Sequence, residues 1–202
     1  MSGRYKEHLW ACVVALALVV VTSVRAAERV ANSKTADSLQ QMMMSYKPEL
    51  KQKVMQLSPE MRATIKKLHD SHTRKSQQLT LRQIMHEILS DYQSIAAGIA
   101  TDNAEQAADS ARRLANHRIP KGGLFPYFPL DMVNDADMSV LPIMNNAVEG
   151  SALKLATAAE KGDMATAAAR LSDIMTGCVA CHQKFRSSPP GATTLLLYTS
   201  RK

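Results

Sequence analysis

Apolar residues recur every three or four positions along the chain from residue 79 onward, which is the period of an amphipathic α-helix. The clearest stripe lies in residues 79–100 and comprises Leu81, Ile84, Met85, Ile88, Tyr92, Ile95 and Ile99. A second face, rich in alanine, spans residues 104–117 and allows a neighbouring helix to come close. Between the two stripes, Thr101-Asp102-Asn103 forms a capping turn. The pattern therefore predicts two helices joined by a short connection.

Two more helices are predicted in the C-terminal part of the chain. The third covers residues 141–161, with Pro142 in its first turn, where proline is tolerated. Gly162 and Asp163 end this helix and cap the next one. The fourth helix ends before Pro189, and one of its faces carries Met164, Ala168, Leu171, Met175, Cys178, Cys181 and Phe185.

The connections predict how these helices pair. Short turns make one hairpin of the first two helices and another of the last two, and the long loop of residues 118–140 joins the hairpins. We therefore expect an all-α fold, an antiparallel four-helix bundle over residues 79–187 with an interior wide enough for a cofactor. Residues 27–78 are expected to form an N-terminal helical extension, either continuing the first bundle helix or standing as a separate arm. Residues 188–202 form a C-terminal tail.

The first 26 residues have the pattern of a secretory signal peptide. Arg4 and Lys6 precede an apolar run over residues 9–21, and Val24-Arg25-Ala26 places small or modest residues at the positions that a signal peptidase reads. The run of about 13 residues is shorter than the roughly 20 that a membrane-spanning helix needs. We therefore expect residues 1–26 to be cleaved and the rest to be exported, with an uncleaved anchor as the alternative.

Composition narrows the choice of partners. The net charge is +7 at pH 7, the basic residues are spread along the chain, and only 4% of residues are aromatic. We therefore expect no nucleic-acid partner, whereas a weakly basic surface favours encounters with acidic proteins. Three histidines outside any motif, His69, His72 and His117, are expected at the surface.

The most informative motif is Cys178-Val179-Ala180-Cys181-His182, because C-x-x-C-H is the attachment signature of a c-type haem. Residues three and four apart share one helix face, so the two thiols can reach the two vinyl groups of one porphyrin while His182 reaches its iron. A zinc site would need a second ligand pair, and a dithiol oxidoreductase a strand-helix-strand pattern. The sequence offers neither, and Cys12 lies in the expected signal peptide. We predict one covalently attached haem c.

The motif's place on the last of four helices, with its continuation through Phe185 and Arg186, resembles the cytochrome c′ family and its low-spin, methionine-ligated relatives. The resemblance covers residues 79–187. It implies a periplasmic protein that can form a homodimer through its first two helices, with His182 as the proximal iron ligand. It also implies that Phe185 and Arg186 line the haem, with Arg186 near the propionates or His182, and that the first bundle helix approaches the distal face.

Two registers compete for the distal ligand on that first helix. Met85 shares the apolar stripe with Ile84 and Ile88, whereas His86 comes four residues after Arg82 on the polar side. The two positions differ by about 100° around the helix. We predict Met85 as the distal iron ligand. The alternatives are ligation by His86, or a five-coordinate iron with Met85 serving only as a core residue.

Iron bound by histidine and methionine is coordinatively full and suits electron transfer. We therefore expect a one-electron carrier for a protein redox partner, without enzymatic activity of its own. The alternatives are a five-coordinate haem protein that binds NO or CO, and a haem subunit of a periplasmic redox complex. In the long loop, Phe125 and Phe128 are expected either to plug one end of the bundle or to cover a haem edge.

Overall fold

The computed structural model describes residues 40, 42–76, 78–120 and 122–186. These residues are helical and contain no strand, which confirms the expected all-α class. The isolated pairing of Lys75 with Ile119 is a single bridge between two connecting segments. None of the helices in these ranges combines the length and the apolar character that crossing a bilayer requires. The expected signal peptide and the tail of residues 188–202 lie outside the described residues.

The N-terminal segment contains α1 (Pro48–Gln56) and α2 (Pro59–Ser71). Each begins with proline, whose fixed φ suits the first helical position. Ser58 caps α2 by accepting a hydrogen bond from the backbone N–H of Met61, at 3.1 Å. Because α2 ends well before the next helix begins, it is not a continuation of the first long helix.

Two longer helices follow, α3 (Leu81–Ala100) and α4 (Ala104–Ala115). A capping box fixes the start of α3: the N–H of Gln83 donates to the Thr80 hydroxyl, and the N–H of Thr80 donates to the Gln83 side chain. The helices approach closely at Gly98, where a Cβ atom would lie 2.7 Å from the backbone nitrogen of Ala107. The absence of a side chain at Gly98 therefore permits this contact.

The remaining segments begin with a loop that contains the short 3₁₀ helices Phe125–Tyr127 and Leu130–Met132. The later elements are α5 (Asp135–Met138), α6 (Leu141–Asn145), a π-helical turn (Asn146–Gly150), α7 (Ser151–Glu160) and α8 (Met164–Phe185). The single helix predicted over residues 141–161 is thus interrupted by a π turn. Gly162, with φ of 74°, makes the turn before α8, and Asp163 caps α8.

Two apolar cores organise the packing. The first core lies among α3, α4, α7 and α8: α4 packs on α3 and α7, and α8 packs on α7 and α3. Its largest buried side chains are Ile95, Leu114, Leu155 and Ile174. The second core joins the N-terminal segment to the loop and to the end of α8, through Tyr46, Leu50, Val54, Leu57, Phe125, Phe128, Val133, Met138, Leu141 and Phe185. The N-terminal segment therefore shares a core with residues after position 122.

The buried face of α8 differs from the predicted face at two positions. Ala168 and Met175 are exposed, whereas Ala167, Ile174 and Gly177 are buried. A Cβ atom on Gly177 would lie 2.8 Å from the Val148 side chain, so small residues let the π turn approach α8. At these positions the buried face lies one residue before the predicted one, because Ala167 and Ala168, like Ile174 and Met175, are adjacent apolar residues that the apolar pattern does not distinguish.

Candidate functional site

The two motif cysteines lie on the last turns of α8, at the border between the two cores. Cys178 packs against the first core and Cys181 against the second. Both side chains are half-buried, and both are free thiols. The helix places them three residues apart on one side, as a double covalent attachment requires.

Burial raises the pKa of both thiols. Their position near the C-terminal end of α8 also disfavours negative charge, because that end of a helix carries a partial negative charge. Reactive dithiols need the opposite environment, one that lowers the thiol pKa. The geometry therefore favours neutral thiols over a redox-active pair.

His182 completes the motif and is exposed. Its partial desolvation and the nearby charge of Arg186 lower its pKa. The imidazole is therefore neutral at neutral pH and has a nitrogen lone pair for a metal ion. Arg186 ends the helix by donating its backbone N–H to the His182 carbonyl, at 3.0 Å. The predicted neighbours Arg186 and His182 thus lie together.

Phe185 anchors this end of α8 in the second core. It is 5% exposed, and its ring lies 4.5 Å from that of Phe128 between centroids. Lys184 pairs with Asp137 of α5 at 2.8 Å and lies over the Phe185 ring. Phe125 is also buried in this core. Both loop phenylalanines are therefore packing residues that hold the loop against the end of α8.

The two candidate distal ligands lie on α3, which packs against α8. Met85 is half-buried and His86 is exposed. Among the described residues, Met85 is absent from the side chains packed against either core. Tyr92, seven residues later on the same face, has its pKa raised by burial and further by Cys178, so this face of α3 lies close to the motif. Met85 precedes Tyr92 by two helical turns on this face of α3, and it shares no core cluster with the motif.

A second group of side chains that could bind a ligand is not evident from the sequence. The expectation that His69, His72 and His117 lie at the surface was wrong: His72 is 5% exposed, and the other two are half-buried. His72 and His117 meet Glu149 of the π turn. These residues come from three distant segments, so no local spacing could have revealed the cluster.

Comparisons of this chain with protein-family models, with curated proteins and with solved structures give no match.

Proposed function

We propose that this chain is an exported, monohaem c-type cytochrome that carries single electrons through an iron bound by His182 and Met85. The observation that carries the proposal is the C-x-x-C-H motif, with two free, neutral thiols three residues apart and a neutral imidazole beside them. These are the donor types that a covalently attached haem needs.

Each residue has a distinct role in this proposal. Cys178 and Cys181 would hold the haem through two thioether bonds, and His182 would bind its iron through a ring nitrogen. Met85 would bind the iron through its sulfur, from α3. When bound, the haem provides an iron that gains and loses one electron. The guanidinium of Arg186 holds positive charge near His182, and it would attract the haem propionates.

The packing of the helices supports a finer fold assignment. We assign α3, α4, α7 and α8 to an antiparallel four-helix bundle of the kind found in the cytochrome c′ family. Its support is the ring of pairwise contacts and the short turns after Ala100 and Glu160. The exposure of His182 and Val179 suits a periplasmic carrier, because a redox partner must approach the iron closely.

Covalent attachment is tested first, by producing the chain in a periplasm equipped for c-type haem maturation. The intact mass should equal residues 27–202 plus one haem, and acid acetone should not extract the pigment. Replacing Cys178 and Cys181 together with alanine should abolish attachment. A pigment that acid acetone extracts from the unmodified chain would contradict the proposal.

The distal ligand is tested by Met85→Ala with His86→Ala as the matched control. The wild-type ferric haem should be low-spin and should not bind CO at neutral pH. Met85→Ala should become high-spin and bind CO, whereas His86→Ala should change neither property. A wild type that is already high-spin and binds CO would replace the electron carrier with a gas-binding protein. A change caused by His86→Ala would shift the ligand by one residue.

A further inference from the structure

Three side chains from separate segments converge on one carboxylate oxygen. His72 follows α2, His117 follows α4, and Glu149 lies in the π turn. The Nε2 atom of His72 lies 2.9 Å from Glu149 Oε1, and the Nε2 atom of His117 lies 3.4 Å from the same oxygen. One ligand atom from each residue falls within 4.8 Å of the others.

The far side of each imidazole ring faces a backbone carbonyl. His72 Nδ1 lies 2.9 Å from the Leu68 oxygen, and His117 Nδ1 lies 2.6 Å from the Arg118 oxygen. A carbonyl only accepts, so both Nδ1 atoms carry the proton and donate it. In the neutral rings, both Nε2 atoms then hold lone pairs directed at Glu149. A carbonyl on Nδ1 with a free Nε2 is the arrangement that orients histidine ligands in metal sites.

An ion pair alone leaves part of this arrangement unexplained. Burial opposes the charge of Glu149, but hydrogen bonds and charge from the two histidines lower its pKa to about 2. Burial likewise opposes the charge of His72, but Glu149 raises its pKa overall. A protonated His72 would pair with the carboxylate. His117 presents a second ring nitrogen to the same oxygen, which a single ion pair does not require.

We propose that His72, His117 and Glu149 bind a divalent transition-metal ion of the Zn²⁺ type. With zinc–ligand bonds of about 2.0–2.1 Å, the ligand atoms of a tetrahedron lie about 3.3 Å apart. The two separations that involve Glu149, 2.9 and 3.4 Å, bracket this value, and the ligand atoms of the two histidines lie within 4.8 Å of each other. The side chains of His117 and Glu149 are 13% and 14% exposed, so water can reach the fourth position.

The ion would connect parts of the chain that are distant in sequence. It would join the end of α2 to the segment after α4 and to the turn that packs against α8. Because all three ligands lie outside the haem motif, this inference does not rest on the proposed electron transfer. Its expected role is structural, with the metal-loaded protein unfolding at a higher temperature than the metal-free one.

The test uses the purified chain without a histidine tag, together with any covalently attached haem, stripped with a chelator and titrated with Zn²⁺. Calorimetry and metal analysis should give one Zn²⁺ per chain, and zinc-edge X-ray absorption should show only nitrogen and oxygen ligands at about 2.0 Å. Glu149→Gln and His117→Ala should each weaken binding at least tenfold. Neither variant should respond to Zn²⁺ with the rise in melting temperature of the wild type, and the haem spectrum should stay unchanged.

His69→Ala is the matched control, because His69 lies on α2 close to His72 but outside the cluster. Its Nδ1 is buried without a hydrogen-bond partner among the described residues. This variant should bind Zn²⁺ as the wild type does. Failure of the wild type to bind one equivalent would overturn the proposal, and so would undiminished binding by folded Glu149→Gln and His117→Ala proteins. Sulfur ligands in the absorption spectrum would place the ion elsewhere and would also overturn it.

Discussion

Replacing Phe185 with alanine should remove the anchor that holds the end of α8 in the second core. Phe185 is 5% exposed and contacts Phe128, so the substitution leaves a cavity between the helix and the loop. Full burial of such a side chain contributes about 1.5–3 kcal/mol. The aromatic pair adds about 0.5–1.5 kcal/mol, and the unfilled cavity raises the total cost to about 3–5 kcal/mol.

Urea unfolding followed by circular dichroism measures this loss, with Val179→Ala as the control. Val179 lies on the same helix but is 45% exposed, so its truncation should cost less than about 1 kcal/mol. The double variant with Phe128→Ala should show coupling of about 0.5–1.5 kcal/mol between the two rings. A loss for Phe185→Ala no larger than that of Val179→Ala would refute the placement of Phe185 in the core.

Gly98→Ala should lower the free energy of unfolding by about 1–2 kcal/mol, measured by urea unfolding. Alanine improves helix propensity by about 1 kcal/mol, but overlap of its Cβ with the Ala107 backbone outweighs this gain. An equally stable variant would contradict the close helix contact. In metal-free protein, Glu149 has a pKa of about 2 although burial opposes its charge, so the stability it contributes is present above pH 4.5 and is lost as the pH falls toward 2. The stability difference from Glu149→Gln should therefore shrink by about 2 kcal/mol between pH 5 and pH 3, and a constant difference would count against the cluster. If the haem is bound as proposed, Arg186→Ala should lower its reduction potential in a redox titration, since a cation beside His182 disfavours the oxidised iron. A potential that rises or does not change would place this charge away from the iron.

The elements that the sequence predicts well are those with large apolar residues on one face. The stripe from Leu81 to Ile99 and the cap at Thr80 specify α3 locally, and the structure confirms that helix to within a few residues. The face of α8 was harder to predict because adjacent positions such as Ile174 and Met175 are both apolar, and only the first of them is buried. Hydrophobic periodicity therefore locates a helix more reliably than it orients one.

The two candidate sites also differ in how much of each can be predicted from the sequence. Cys178, Cys181 and His182 are neighbours in sequence, so their chemistry is readable from one helical turn. His72, His117 and Glu149 come together only through tertiary packing. The sequence also does not show that the N-terminal segment belongs to the second core, because Tyr46 and Leu50 pack with residues beyond position 122. Such contacts depend on the whole fold and leave no local signal.

The π turn between α6 and α7 acts as a phase shift within one continuous helix. Residues before it, such as Leu141 and Met144, face the second core, and residues after it, such as Leu155, face the first. A π turn holds one residue more than an α-helical turn, and one residue corresponds to about 100° of rotation. Deleting a single residue from positions 146–150 would therefore turn this segment into regular α-helix and leave the faces of α6 and α7 in place, whereas a deletion within α7 would rotate the residues after it by about 100°. At this point of the chain, the helix can therefore lose one residue without turning its apolar side chains away from the two cores.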